Sequence, residues 1–147
     1  MLAFVRPHAW DLPLFLHILG ATMLFGALGT VAVLAAVARR RPERERLARA
    51  TFGTLLAVAV PAWVLMYTTG AWTKSKEHLP NSVNWVQVPR TIGDTGFVVL
   101  LLVTGIAFSW SRRPKSGWQA PALVVLSALY IGALGVAWWV MTAKPGL

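Results

Sequence analysis

The chain has 147 residues, 56% of them hydrophobic and 13% charged, about half the charged share of an ordinary soluble domain, which argues against a water-soluble globule. Its 14 Lys and Arg outnumber its 5 Asp and Glu, but the basic residues are squeezed between long apolar runs, a membrane pattern and not the footprint of a nucleic-acid binder. Cysteine is absent, so disulfides, thiolate metal sites, iron–sulfur clusters and cysteine nucleophiles are excluded.

A first helix is expected over about 12–38, capped by Asp11 and tolerating Pro13 in its first turn. It is longer than the roughly 20 residues that cross about 30 Å of hydrocarbon at about 1.5 Å per residue. His17 is its one ionisable side chain. Ala36-Val37-Ala38 looks like a signal cleavage site, yet the apolar run before it is too long and the arginines follow it, so the segment is read as a retained helix.

The arginine-rich segment Arg39–Arg49, with Pro42 inside it, leads to a second helix over about 48–72. Pro61 removes one backbone hydrogen bond there and is expected to kink the helix, unless neighbours accommodate it as in many membrane helices. The loop from Lys74 to Arg90 follows. With Trp72, His78, Trp85 and Val86 in or beside it, this loop is expected to lie on the headgroups as a short cover or to dock a larger partner.

A third helix over about 91–111 opens near Asp94, a favourable place for a carboxylate in the field of a helix N-terminus. The turn with Arg112, Arg113 and Lys115 leads to a fourth helix over about 119–142. Small residues recur at four-residue spacing as Thr22, Gly26 and Thr30, as Gly53 and Ala57, as Gly105 and Ser109, and as Ala128 and Gly132. Such stripes let membrane helices approach closely, and internal packing is expected, an oligomer interface being the alternative.

The predicted fold is an all-α membrane protein, a single domain of residues 1–147 forming a four-transmembrane-helix bundle. Nine of the 14 basic residues flank its two turns at one end, so the positive-inside rule makes both termini extracytoplasmic in a bacterial inner membrane. Of the eight tryptophans, all but Trp63 are expected at the membrane boundaries, Trp110 and Trp118 at the basic one. Arg40-Arg41-Pro42 recurs as Arg112-Arg113-Pro114, but Gly26 and Gly29 fall on Val98 and Leu101 at that offset. Only a topology of two hairpins is retained.

His17 and Asp94 are the ionisable side chains within the spans, and intramembrane ionisable groups are costly enough to be functional candidates. Each lies about one turn or a little more below the surface opposite the arginines. They are expected to meet in an outward-facing polar pocket, with Tyr67 and Thr69 at the same level. His17 has three readings: a hydrogen bond to Asp94 or to a backbone carbonyl, a metal or haem ligand, or a proton relay or ligand contact. An imidazole with the thioethers of Met66 and Met141, and a second imidazole from His78, would suit copper or haem b iron. Met66 and Met141 read more readily as plain packing residues. No catalytic motif is present, and an enzyme is not expected.

The run Leu16-His17-Ile18-Leu19-Gly20-Ala21-Thr22-Met23-Leu24-Phe25-Gly26 resembles the first helix of the small bacterial membrane proteins of the DUF2269 group. It also resembles a helix of the CopD-like copper-resistance proteins. Pro61 followed by Thr69-Gly70 is similar to the DUF2269 pattern of Pro and Ser/Thr-Gly. The first resemblance implies a four-helix fold without an established reaction. The second implies copper handling at the outer face, with His17 the one position carried over, although this chain has half the helices of a typical CopD domain. The sequence accommodates a ligand-binding membrane protein, an accessory subunit of a larger complex or a homo-oligomer, a cytochrome or quinone-linked redox protein and, last because four helices rarely enclose a pathway without oligomerising, a carrier or channel.

Overall fold

The computed structural model describes residues 11–76, 84–115 and 117–143. Among the described residues there are five α-helices: α1 (Asp11–Ala38), α2 (Arg44–Thr54), α3 (Val60–Lys76), α4 (Asn84–Arg112) and α5 (Gln119–Ala143). A π-helical turn, Leu55–Ala59, joins α2 to α3 as one rod. The described residues contain no strand. They form four helices long and apolar enough to cross a membrane, α1, the α2–α3 rod, α4 and α5, so by length and composition the chain is a multi-pass membrane protein.

Hydrocarbon offers no partner to a polar group, so hydroxyls on these rods turn back onto their own backbones. Thr22 donates to the Ile18 carbonyl, Thr30 to Gly26, Thr54 to Ala50 and Thr73 to Thr69. Pro61 poses the opposite problem, since it has no N–H and its ring clashes with the carbonyl four residues back in a regular α-helix. The π turn answers it: the Val60 N–H reaches five residues back to the Leu55 carbonyl. The disturbance expected at Pro61 thus takes the form of a widened turn just before it.

The rods form a ring. α1 packs against α3 on one side and α5 on the other, and α4 packs against α5 and the α2 half of the rod. α1 and α4 therefore stand on a diagonal. Beyond the π turn the rod draws away from α4, for α3 touches α4 far less than α2 does. The core is a column of Leu24, Leu28, Val31, Leu55, Leu100, Val103 and Leu123, all fully buried or nearly so. Phe15, Val33, Leu129 and Trp139 project outward, as lipid-facing residues do in a rod that is apolar all round.

Three expectations are corrected. α4 starts at Asn84 instead of about 91 and carries the buried Pro89 near its start. Trp85 and Val86 consequently belong to a helix and not to a surface cover, while His78 lies outside the described residues. The small-residue stripes do not line the inside. Thr22, Gly26, Thr30, Gly53, Ala57, Gly105, Ala128 and Gly132 are exposed, and Ser109 is half-buried. A Cβ added at any of those four glycines would meet nothing within 4 Å. The close approach lies elsewhere, at Gly20, where an added Cβ would come within 2.6 Å of the Met66 backbone nitrogen. Trp110 is fully buried, a core residue rather than a boundary anchor, because it faces inward at the last turns of α4.

Candidate functional site

Gly20 of α1 lets the α1 backbone press against α3 at Met66, and Gly70 of α3 leaves room for a ring opposite it. An added Cβ at Gly70 would stand 2.9 Å from the His17 ring. Into that room the imidazole of His17 enters and places Nδ1 2.7 Å from the Met66 carbonyl oxygen. A carbonyl only accepts, so Nδ1 carries the hydrogen, and in the neutral ring Nε2 presents a lone pair. Of the readings open to His17, the bond to a backbone carbonyl is the one observed.

The next residue of α3 serves a different neighbour. The Tyr67 hydroxyl donates to Asp94 Oδ1 at 2.6 Å, and Arg90 Nε stands 3.9 Å from Asp94 Oδ2. The Arg90 and Asp94 side chains are both about half exposed, so their attraction across a well-solvated gap contributes little. Where the rod and α4 diverge, Trp63 and Tyr67 fill the wedge, with ring centroids 4.9 Å apart and planes at 16°. Trp63 also leans on Phe97 at 4.8 Å and donates its indole N–H to the Gly93 carbonyl at 3.2 Å. Gly96 does for Tyr130 of α5 what Gly70 does for the His17 ring, since a Cβ there would fall 2.1 Å from the Tyr130 hydroxyl.

His17 and Asp94 are thus not partners of one another. They reach α3 at consecutive residues, but α1 and α4 occupy opposite corners of the ring and α3 stands beside both. Each reaches α3 separately, His17 at the Met66 backbone and Asp94 at the Tyr67 side chain. Thr69 is buried and bonds back to the Leu65 carbonyl of its own helix, which makes it a helix-satisfied hydroxyl and not a pocket wall.

The ligand set expected for copper or haem does not assemble among the described residues. The Met66 side chain is part of the buried core, Met141 is partly exposed, and His78 lies outside the described residues. No group of three or more His, Asp or Glu side chains that could hold a metal occurs among the described residues. His17 Nε2 alone is one donor, short of what either centre needs. Sequence reasoning missed Arg90, Trp63, Gly70 and Gly96. Arg90 carried a signal, being one helical turn before Asp94, but it was hidden by starting the helix too late.

No protein-family model, curated protein or solved structure matches the chain.

Proposed function

We propose that this chain is a small, non-catalytic protein of a bacterial inner membrane. In this reading the arginine turns face the cytoplasm, and the opposite end offers a polar intramembrane site to a small lipophilic ligand. The site wraps α3, with His17 on one flank and Tyr67, Asp94 and Arg90 on the other. Its relation to DUF2269-type proteins, which bring a four-helix fold and no established reaction, is part of the same proposal. The observation that carries it is the bond from His17 Nδ1 to the Met66 carbonyl. A backbone acceptor that fixes one ring nitrogen leaves the other oriented and able to accept, the arrangement by which proteins present a histidine to a ligand.

Nitrogen-15 NMR of histidine-labelled protein in lipid, with His17→Ala for assignment, tests this. The expected spectrum has His17 protonated at Nδ1 and bare at Nε2, and a total lipid extract from the producing cells shifts the Nε2 signal. A hydrogen on Nε2, or no response to the extract, removes the site. An absorption spectrum and metal analysis of the same preparation decide whether haem or copper is among its ligands.

A second reading, an accessory subunit or a homo-oligomer, is favoured by the outward direction of the small-residue stripes on all four rods. Gly26→Leu is expected to leave the fold intact and to weaken association in native mass spectrometry. An unchanged assembly argues against an interface at α1.

A further inference from the structure

A shallow groove of about 480 Å³ runs along the lipid-facing side of α4. Val98, Leu101, Leu102, Gly105, Ser109 and Trp118 line it. From Val98 to Ser109 it extends about 16 Å, at about 1.5 Å per helical residue. Gly105 forms an open floor, since a Cβ there would meet nothing within 4 Å. Trp118, 57% exposed, stands at the end nearest the α4–α5 turn.

The mouth of the groove is as polar as its length is apolar. Arg112 continues the stripe one turn beyond Ser109, and its guanidinium carbon lies 5.2 Å from the centre of the exposed Phe108 ring, which keeps the charge against the surface of α4 beside the groove's α2-facing edge. Arg113 and Lys115 follow, both exposed, and residues 111–118 contain no acidic side chain to offset them. The other basic turn differs in this respect, for Glu45 pairs with Arg49 there. At the junction of the two zones the buried Gln119 donates to Ser109 Oγ at 3.3 Å. That leaves the Ser109 O–H to donate elsewhere.

We infer that this groove is a binding site for one anionic phospholipid, an acyl chain lying along α4 and the phosphate held by Arg112, Arg113 and Lys115. An apolar furrow ending in three basic residues whose own turn holds no acidic one has the amphiphilic profile of a lipid molecule, and basic pockets beside membrane helices select anionic headgroups by charge. Ser109 supplies a hydrogen bond at the level of the glycerol esters. The site lies at the end of the bundle opposite His17, and its occupancy does not depend on what His17 binds.

The experiment uses the full chain in phosphatidylcholine vesicles containing either tail-brominated phosphatidylglycerol or tail-brominated phosphatidylcholine. The Trp118 share of tryptophan quenching is obtained by subtracting the Trp118→Phe variant. Half-quenching is expected at about fivefold lower mole fraction of the anionic lipid, the factor corresponding to roughly 1 kcal/mol for one effective basic residue near a charged surface. Arg112→Gln/Arg113→Gln/Lys115→Gln abolishes the preference, while Gly105→Leu, which fills the floor, reduces quenching by both lipids. Arg113→Gln alone, weakening the preference with unchanged thermal unfolding, guards against a triple variant that fails to fold. Equal quenching by the two lipids, or protection of Trp118 from both by self-association, overturns the assignment.

Discussion

His17 hydrogen-bonds the backbone carbonyl of Met66, and the Met66 thioether turns instead into the core. The identity of the side chain at 66 is therefore nearly irrelevant to the imidazole. Met66→Leu, a swap that conserves volume, is expected to lower stability by less than about 1.5 kcal/mol and to leave the His17 Nδ1–H signal in place. His17→Ala loses the bond, worth about 1 kcal/mol, together with the packing of its ring on Gly70. Thermal unfolding in detergent and the nitrogen-15 spectrum measure both. Loss of the Nδ1–H signal in Met66→Leu would contradict the backbone contact.

Two glycines on α1 make a matched pair. An added Cβ at Gly20 would lie 2.6 Å from the Met66 nitrogen and 2.9 Å from its Cα, backbone atoms that move only if the helices separate. Gly20→Ala is accordingly expected to destabilise by about 1–3 kcal/mol. Gly26→Ala meets nothing and gains about 0.5–1 kcal/mol from reduced chain freedom. Opposite signs in thermal midpoints are the expected result, and equal losses would mean that Gly26 is covered.

Double-variant cycles distinguish contact from proximity. Tyr67 and Asp94 share a hydrogen bond, so Tyr67→Phe and Asp94→Ala, each of which removes it, are expected to couple by about 0.5 kcal/mol or more. His17→Ala and Asp94→Ala remove bonds to different atoms of α3 and are expected to add within about 0.5 kcal/mol. Strong coupling of the second pair would place a shared ligand between them.

The orientation proposed from the arginines is open to chemical labelling. Gly117→Cys at the basic end is expected to react with an impermeant thiol reagent only in opened cells, and Ser75→Cys at the other end in intact ones. The reverse pattern would put the His17 side in the cytoplasm.

The four rods were legible because uninterrupted apolar length has one common meaning in a membrane protein. The start of α4 was not, because Pro89 and Arg90 read as punctuation, whereas a proline near the start of a helix and a charge near the membrane surface are both tolerated. Small-residue spacing shows where a helix can be approached, and Gly26 and Gly105 show that it does not say by what. The depths of His17 and Asp94 follow from counting residues along each helix. Which helices are neighbours does not, so the sequence left open the arrangement that sets α3 between them.

The π turn at Leu55–Ala59 also gives the rod two rotational phases. An α-helix advances about 100° per residue, so the extra residue of a π turn offsets everything after it by about that angle. A single helical wheel drawn for Arg44–Lys76 therefore mixes two faces. It is in the second phase that Met66 offers its carbonyl to α1 and Tyr67 its hydroxyl to α4. A relative whose second rod is a regular helix would preserve both contacts only by being one residue shorter. An alignment with such a relative is expected to open its gap within 55–59 and to lack the proline at 61.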